Sequence, residues 1–312
     1  MAEAVDILLS VYDGGKYLRD FVASLGRQTC REFRLLVRDD GSRDDSLQVL
    51  KASLAENGLQ ARFAASSGRH LGVVGSFGAL LRESRARGVL FADQDDIWHP
   101  EKVDKMRRRM AEEEERRGPD TPILLHSDLR VCGEHGETIA DSLIRYQRLS
   151  PARTRLADLL VQNHVTGCAM MINGALKDRI RLPFPDHAIC HDWYLALLAA
   201  AVGEIVFMET PYTDYRKHGS NVFGPREYSF RQGLRIFREG RSQLERRLAL
   251  TQAQARDFLR QYGDLFSEPD RRTVARWGGI GAGHKPEKIA ACLRFGFRKN
   301  TVMRTLGMWW AL

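Results

Sequence analysis

The first hundred residues alternate between short apolar runs and segments with helical spacing of apolar positions. The run VDILLSVY, from Val5 to Tyr12, is followed by a DGG turn and by a stretch with apolar residues at 18, 21, 22 and 25. The run FRLLV leads through a Gly-containing turn into another helical stretch, and VLFAD ends a further unit. Continuous apolar runs are typical of strands buried on both faces, and a spacing of three or four is typical of helices. The alternation predicts a mostly parallel sheet flanked by helices.

The same alternation predicts where a ligand would bind. In an open parallel sheet the binding crevice lies outside the carboxyl ends of the strands. The loops after Val11, Val37 and Ala92 are therefore expected to meet at one crevice. They carry acidic or hydroxyl residues: Ser10, Tyr12, Asp13, Asp39, Asp40, Ser42, Asp93, Asp95 and Asp96.

Beyond residue 100 the pattern predicts a charged helix, strands in PILLHSDLRV and HVTGCAMMINGAL, and a buried helix that opens at His191 and Asp192. That helix runs into the strand EIVFM, and a polar loop, DYRKHGSNVFG, follows. Long Arg-rich helical patterns come after the loop. We therefore expect an α/β domain over residues 1–225 and a basic helical extension over residues 226–312.

The net charge of +8 on the 312 residues is unevenly placed. Residues 226–312 hold 18 lysines and arginines against 8 aspartates and glutamates, whereas residues 1–225 hold 30 basic and 32 acidic residues. Five scattered cysteines without a CxxC pair exclude a zinc knuckle or a disulfide framework and fit a reducing cytosol. There is no signal-peptide pattern and no apolar stretch that approaches about 18 residues, so a cytoplasmic protein is expected.

The basic extension has two interpretations. Its helices could pack on the catalytic domain or on a second subunit. Alternatively, its basic residues would meet anionic lipid headgroups, with Trp309 and Trp310 at the interface, as a peripheral contact with the inner face of the plasma membrane. Nucleic acid is not an expected partner, because no RRM, KH or helix-turn-helix signature is present and the acidic crevice would repel phosphates.

The cluster DQDD places Asp93, Asp95 and Asp96 directly after a predicted strand. Such carboxylates offer the hard oxygen ligands that Mg²⁺ or Mn²⁺ takes together with water and substrate phosphates. The alternative is an exposed turn that caps the helix beginning near Pro100. An EF-hand is not expected, since Ile97 stands where a calcium ligand would be needed and Trp98 where the loop needs glycine.

Three further positions carry candidate chemistry. Asp39 could form a turn and cap, or accept the imide N–H of a uracil or thymine ring. Asp192 could cap its helix, or act as a general base whose pKa is raised by apolar surroundings. His218 could be a surface histidine, or a ligand of a metal or phosphate, with Arg216 and Lys217 nearby to neutralise a diphosphate.

Four motifs occur in one order: the segment from Val5 to Leu50, then FADQDDIWHPEKVDKM, HDWYLALLA and YRKHGSNVFG. In these motifs the chain resembles family 2 glycosyltransferases of the GT-A fold over residues 4–225. Within that family it looks most like bacterial rhamnosyltransferases that build surface polysaccharides. The resemblance implies a Rossmann-like GT-A fold, a nucleotide-sugar donor, dependence on Mg²⁺ or Mn²⁺, and inversion of the anomeric configuration.

The resemblance also implies roles for individual residues. Ser10, Tyr12 and Asp39 would line the pocket for the nucleotide base. Asp93 would approach the ribose and Asp95 would bind the metal, as the two acids of the family's DxD motif.

Asp192 stands in the place of the family's catalytic base, and His218 lies in the loop that folds over the diphosphate, where we expect a second metal ligand. Asp96 is expected to cap the following helix or to support the other two acids. The chain departs from the family at Asp13 and Ser76, where relatives often carry asparagine. It also lacks a QxxRW motif, which argues against a processive synthase.

The function expected from the resemblance is transfer of rhamnose from dTDP-rhamnose to a saccharide or lipid-linked saccharide in the synthesis of a bacterial surface polysaccharide. A UDP-hexose or UDP-HexNAc transferase of the same fold is the first alternative. A non-catalytic protein that binds nucleotide sugars or membranes is the second, and the set Asp39, Asp95 and Asp192 argues against it. A homo-oligomer is left open.

Overall fold

The computed structural model of the chain describes residues 4–65, 69–219, 227 and 241–312. Two compact units are distinguished. The sheet unit comprises Met1–Leu143, Thr166–Phe184 and Glu204–Pro225. The helical unit comprises Ile144–Val165, Pro185–Gly203 and Arg226–Leu312. The domain boundary expected at residue 225 falls outside the described residues and stays a prediction.

The strands of the described residues all lie in the sheet unit. They are β1 (Val5–Val11), β2 (Phe33–Asp39), β3 (Ala61–Phe63), β4 (Val89–Asp93), β5 (Ile97–Trp98), β6 (Ile123–Ser127), β7 (Arg130–Cys132), β8 (Thr138–Ala140), β9 (Met170–Ile172), β10 (Glu204–Met208) and β11 (Thr213–Arg216). The main sheet has the order β10-β6-β9-β4-β1-β2-β3, and a smaller sheet has the order β5-β11-β7-β8.

The main sheet is parallel except for β9, which runs antiparallel to both β4 and β6. The predicted α/β fold with a mostly parallel sheet is therefore confirmed. The apolar pattern indicated a strand near Met170 but could not give its direction. In the structure a 3₁₀ turn over Gly167–Ala169 precedes this strand, which fills the gap between β4 and β6.

Helices cover the sheet and build the helical unit. They are α1 (Gly15–Gly26), α2 (Ser46–Glu56), α3 (Gly72–Glu83), α4 (Lys102–Arg117), α5 (Leu143–Tyr146), α6 (Leu156–Leu159), α7 (Gly174–Lys177), α8 (His191–Val202), α9 (Arg241–Tyr262), α10 (Glu268–Gly279), α11 (Lys285–Phe295) and α12 (Val302–Ala311).

The core of the sheet unit follows from the apolar pattern. Ile7, Leu9 and Val11 alternate along β1 and are fully buried against α1, whose Leu18 and Phe21 are also fully buried. Each side chain of this kind stabilises the fold by about 1.5–3 kcal/mol when it leaves water. This burial fixes β1 in the middle of the sheet, so that the polar residues at its end face the binding edge.

The helical unit has its own core. Helix α8 is buried over most of its length, as its apolar sequence predicts, and Tyr194 donates to Gln261 Oε1 in α9 at 2.7 Å. Trp277 of α10 is fully buried and donates through Nε1 to Thr251 Oγ1 at 3.2 Å. Apolar residues recur at near-helical intervals in the extension, at Phe230, Leu234, Phe237, Leu244 and Leu248. Leu244 and Leu248 are buried, and the other three lie outside the described residues. Among the described helices, none is long and apolar enough to cross a membrane.

Candidate active site

The register of the central strands places predicted site residues side by side. Ser10 in β1 pairs with Asp93 in β4, and Val11 pairs with Asp39 in β2. These strands are parallel, so their carboxyl ends open on the same edge of the sheet. The structure therefore brings Ser10, Asp39 and Asp93 to one edge.

Gln94, the residue between the two acids of the DxD motif, joins the loops after β1 and β4. The backbone N–H of Tyr12 donates to Gln94 Oε1 at 3.0 Å, and Gln94 Nε2 donates to the carbonyl oxygen of Tyr12 at 2.9 Å. One side-chain amide thus satisfies both polar groups of one residue's backbone, which a carboxylate could not do. Gln94 was not among the site residues expected from the sequence. The signal that could have identified it is its position between two acids, because an amide side chain can both donate and accept hydrogen bonds.

The ring of Tyr12 is presented at this edge. The side chain is 39% exposed, and its ring packs on His70 with centroids 4.5 Å apart. Nδ1 of His70 lies 3.1 Å from the carbonyl oxygen of Asp40, which holds the imidazole in place. An exposed aromatic face beside a polar crevice suits stacking with a flat ring such as a nucleotide base. His70 was not found from the sequence.

Asp39 forms the turn that was its simpler interpretation. Its carboxylate accepts from Ser42 Oγ at 2.6 Å and from the backbone N–H groups of Gly41 and Ser42 at 3.3 Å. Gly41 has a φ of 89°, a conformation that favours glycine. Asp39 is therefore held in a fixed position at the end of β2. A carboxylate keeps further lone pairs for a ligand when its neighbours hold it in this way.

The adjacent acid, Asp40, holds the local structure together. It is buried and paired with the buried guanidinium of Arg38, and it accepts from Leu71 N at 2.8 Å and Gly72 N at 2.7 Å. Arg38 also donates to Ser76 Oγ at 3.0 Å. Ser76, a departure from the resembled family, thus has a defined partner. Asp40 was expected at the crevice, and its carboxylate instead anchors the start of α3.

The two residues expected to bind a metal meet in the structure. Asp95 lies in the turn between β4 and β5, and His218 follows β11. Asp95 Oδ2 is 2.6 Å from Nε2 of His218, and the two side chains are 17% and 5% exposed. The ring of His218 stacks on Tyr17 of α1, with centroids 4.6 Å apart and planes 24° apart. Stacking on a buried helix fixes the imidazole so that it faces the carboxylate.

Arg216 positions the His218 loop. It is 5% exposed, its guanidinium is 2.9 Å from Asp20 Oδ2, and it lies 5.3 Å from the centroid of Tyr17. Its backbone N–H donates to Asp96 Oδ1 at 3.4 Å. Arg216 was expected beside the diphosphate, but it points into the protein. Lys217, which is exposed, stays a candidate for that charge.

Asp96 is buried, and it does not cap the next helix because α4 begins at Lys102 after Glu101. Its carboxylate, that of Asp93 and the thiol of Cys168 place a ligand atom each within 4.8 Å of one another. Burial, together with the charges of Asp95 and Asp93, raises the pKa of Asp96. Burial also raises the pKa of Cys168, so this thiol stays protonated at neutral pH.

Lys102, the first residue of α4, lies in the interior near this turn. Its ammonium group donates to the carbonyl oxygen of Cys168 and to Thr213 Oγ1, the latter at 2.8 Å, and lies 3.6 Å from the ring centroid of Trp98. Burial lowers the pKa of Lys102 to about 7. These contacts join the start of α4 to β5, to β11 and to the 3₁₀ turn before β9.

The donor set at the turn fits a hard divalent cation. The carboxylates of Asp93 and Asp95 are ligands that Mg²⁺ and Mn²⁺ prefer, and the imidazole of His218 is a common metal ligand. The set that includes Cys168 fits less well, because a soft, protonated thiol is a poor ligand for these ions. Asp95 and His218 therefore remain the residues that would hold the metal.

Asp192 lies in the helical unit, in the first turn of α8, and is 8% exposed. The N-cap of α8 is Cys190, so Asp192 does not occupy the capping position. Its Oδ1 accepts from Asn163 Nδ2 at 3.3 Å and from the backbone N–H of Trp193. Asn163 also donates to the carbonyl oxygen of Val165 at 2.7 Å. A carboxylate oriented by two donors keeps lone pairs for a further proton donor.

The main sheet, with acidic residues at the carboxyl ends of its central strands, defines an α/β protein of the GT-A class. Residues 6–179 match the model of the family described as "Glycosyl transferase family 2". The match spans more than half of the chain, and the chain belongs to this family.

Two curated relatives and two solved structures illustrate the similarity. An uncharacterised glycosyltransferase of Nostoc sp. (strain PCC 7120) is 24% identical over 225 residues, which are 70% of this chain and 66% of the relative. EpsH of Bacillus subtilis (strain 168), a candidate glycosyltransferase, is 22% identical over 227 residues, which are 70% of this chain and 62% of EpsH. The chain thus spans less than two thirds of the length of both relatives.

The solved structures show the fold. TarS of S. aureus, residues 1–349, in complex with UDP-GlcNAc aligns with a TM-score of 0.58 and 14% identity, over 99% of this chain and 90% of TarS. The mannosyltransferase PcManGT of Pyrobaculum calidifontis, in complex with GDP-Man and Mn²⁺, aligns with a TM-score of 0.54 and 14% identity, over 100% of this chain and 85% of PcManGT. The GT-A fold expected from the resemblance is confirmed.

Proposed function

We propose that the protein is an inverting, metal-dependent glycosyltransferase that moves rhamnose from dTDP-rhamnose to a saccharide acceptor during synthesis of a bacterial surface polysaccharide. The observation that carries this proposal is the contact between Asp95 Oδ2 and His218 Nε2, which are 2.6 Å apart. In a chain of the glycosyl transferase family 2, this contact follows the acidic carboxyl end of β4. An acid and an imidazole held together there suit a cation that accompanies a diphosphate.

The nucleotide would bind along the edge that Ser10, Tyr12, Asp39 and Asp93 form. The exposed ring of Tyr12 offers a stacking surface for the base, and the fixed carboxylate of Asp39 can accept an imide N–H. Asp93, which pairs with Ser10 in the sheet, would accept a hydrogen bond from a hydroxyl group of the ribose. These interactions distinguish a nucleoside from a free sugar.

Asp95 and His218 would hold Mg²⁺ or Mn²⁺, which when bound supplies positive charge for the leaving diphosphate. Asp192 would accept the proton of the acceptor hydroxyl. The acceptor oxygen then forms a bond to the anomeric carbon while the bond from that carbon to the diphosphate oxygen breaks on the opposite face. The configuration inverts, and a nucleoside diphosphate leaves.

The role of Asp192 is tested by Asp192→Asn, which keeps the shape of the side chain and removes its basicity. Loss of general-base catalysis should lower kcat by about a hundredfold or more. Near-wild-type transfer by this variant would disprove the assignment.

A second donor class is supported by the fold neighbours. TarS was solved with UDP-GlcNAc and PcManGT with GDP-Man. A UDP-hexose or UDP-HexNAc donor is therefore the alternative. We further propose that the protein acts in the cytoplasm, on a saccharide or lipid-linked saccharide.

The experiment is a thermal-shift screen of nucleotide sugars with and without Mn²⁺. A ligand at about 100 times its Kd stabilises the folded state by about 2.7 kcal/mol, which a melting curve resolves. We expect a shift with dTDP-rhamnose that requires Mn²⁺. A shift with UDP sugars alone would select the alternative donor, and no shift with any nucleotide sugar would contradict the proposed function.

A further inference from the structure

The last two helices form a cationic part of the helical unit. From Lys285 to Leu312 there are six basic residues and one acidic residue. The acid, Glu287, accepts from the backbone N–H of His284 at 3.2 Å as part of the cap of α11. With six basic side chains and one acidic side chain, this segment carries a formal side-chain charge of +5.

The same helices expose the most accessible aliphatic side chains of the described residues. Val302 is 75% exposed and Leu293 is 65% exposed, and no other large apolar side chain in the described part of the chain exceeds them. Leu306, one turn after Val302 in α12, is 42% exposed. Single exposed aliphatic residues are common on protein surfaces, whereas a group of three on one surface marks a binding site more often.

All three residues line one groove between α11 and α12. This apolar-basic groove is bordered by Leu293, Val302, Leu306, Arg153 and Arg298, and its volume is about 670 Å³. Apolar atoms and guanidinium groups therefore border the same depression.

The arginines in and beside the groove differ in whether they pair with a carboxylate. Arg153 is paired with Asp158, so it forms part of the wall. Arg294 and Arg298 are exposed, and no carboxylate of the described residues pairs with either. The guanidinium of Arg294 lies 5.9 Å from the ring of Phe295. Arg298 therefore lines the groove itself, and Arg294 follows the groove residue Leu293 directly in α11.

We propose that the apolar-basic groove docks on the anionic surface of a lipid bilayer. Leu293, Val302 and Leu306 would enter the headgroup layer, and Arg294 and Arg298 would bind lipid phosphates. Trp309 also lines the groove, but it and Trp310, the anchors expected from the sequence, are largely buried, so we assign the contact to the aliphatic side chains and the arginines.

Charge selects this partner over two others. Two copies of the groove facing each other would bring two strongly positive surfaces together, which is unfavourable. Nucleic acid would use the arginines but leave the three aliphatic side chains in water. An anionic bilayer satisfies both sets of groups at once. The residues proposed for docking are not those proposed for the nucleotide sugar, so either proposal can fail without the other.

The test is co-sedimentation of the full chain with vesicles of phosphatidylcholine and with vesicles that also contain phosphatidylglycerol. Binding should be strong only on the anionic vesicles and should weaken as salt is added, because salt screens the arginines. The double variant Leu293→Ser with Val302→Ser should bind about tenfold more weakly. Arg294→Gln and Arg298→Gln should each weaken binding roughly fivefold.

Matched controls lie elsewhere in the helical unit. Leu250→Ser removes an aliphatic side chain that is 52% exposed on α9, and Arg272→Gln removes an exposed guanidinium on α10. Both should bind anionic vesicles like the wild type, and all variants should keep its unfolding midpoint, since the changes are on the surface.

Three results would overturn the proposal. One is equal binding to neutral and anionic vesicles. The second is unchanged binding of the Leu293→Ser, Val302→Ser variant. The third is a wild-type dimer in light scattering that this variant converts to a monomer, which would assign the groove to a second copy of the chain.

Discussion

Asp95 and His218 are 123 positions apart in the chain, and Oδ2 of Asp95 lies 2.6 Å from Nε2 of His218. The turn after β4 delivers the acid, and the end of β11 delivers the histidine, whose ring rests on Tyr17. A carboxylate and an imidazole that already face each other need little rearrangement to bind one cation. This relationship leads to the first prediction.

Removing either partner should weaken Mn²⁺ binding in the presence of a nucleoside diphosphate. We expect Asp95→Asn to abolish detectable binding, because the amide is uncharged, and His218→Gln to weaken it by roughly 10- to 100-fold. Isothermal titration with Mn²⁺ measures both. The control is Glu56→Gln, which alters an exposed acid paired with Arg19 and should leave Mn²⁺ affinity unchanged. Wild-type affinity in Asp95→Asn would exclude Asp95 as a ligand.

The second prediction concerns Gln94. Gln94→Leu keeps the volume but removes both bonds to the backbone of Tyr12. Two partly exposed hydrogen bonds are worth about 1–3 kcal/mol together, so the free energy of unfolding should fall by that amount. Because the loop that carries the stacking ring loses its tie, the KM for the donor should rise more than kcat falls. Urea unfolding and steady-state kinetics measure the two effects, and unchanged stability together with an unchanged KM would show that the tie is dispensable.

The buried pair of Arg38 and Asp40 gives the third prediction. Asp40→Ala leaves the guanidinium buried and removes the acceptor for two backbone N–H groups, so it should cost about 3–5 kcal/mol of stability. The matched control is the exposed pair of Arg19 and Glu56, where Glu56→Ala should cost less than about 1 kcal/mol. Equal costs at the two sites, measured by urea unfolding, would be inconsistent with a buried anchor at Asp40.

The pair of Arg38 and Asp40 also shows what the sequence could and could not give. The two residues are two positions apart at the end of a strand, so the period of two places them on one face, and this signal was available. The burial of the two side chains could not be predicted, because it depends on α3 and on the loop before it. The strands β1, β2 and β4, helix α1 and the meeting of their loops could be predicted, since they follow from local apolar patterns and from the parallel topology.

Other features depend on contacts between distant segments. The antiparallel direction of β9 follows from its place between β4 and β6, which no local pattern specifies. Asp96 was expected to cap a helix or to support the other two acids, and the turn carries it into the interior, where it lies next to Asp93 and Cys168. Gln94 and His70 were missed because their partners lie far away in the sequence. The expectation that Asp95 and His218 belong to one site came from the order of the motifs. Apolar periodicity could not give it, because it relates only residues that are close in the sequence.

The fourth prediction is a loss of stability in mild acid caused by His164. Burial lowers the pKa of His164 to about 4, below the 6.5 of an accessible histidine. The unfolded chain therefore binds a proton between pH 6.5 and 4 that the folded chain does not, and stability falls as the pH falls through this range. The loss between pH 7 and pH 5 should be about 2 kcal/mol from this residue.

His164→Gln should be less sensitive to this change of pH by about that amount, since glutamine does not titrate. His135→Gln, at an exposed histidine, should follow the wild type. Unfolding free energies at pH 7 and pH 5 for the three proteins test this prediction. An identical pH dependence in all three would show that His164 is not protonated on unfolding in this range.

Transfer from dTDP-rhamnose in Mn²⁺ and in EDTA tests the central claim most directly. Release of the nucleoside diphosphate is followed with time, and the anomeric configuration of the product is read by NMR. We expect release in Mn²⁺, loss of release in EDTA, recovery when Mn²⁺ is restored, and a product of inverted configuration. Undiminished release in EDTA, or a product that retains the configuration of the donor, would contradict a metal-dependent inverting transferase.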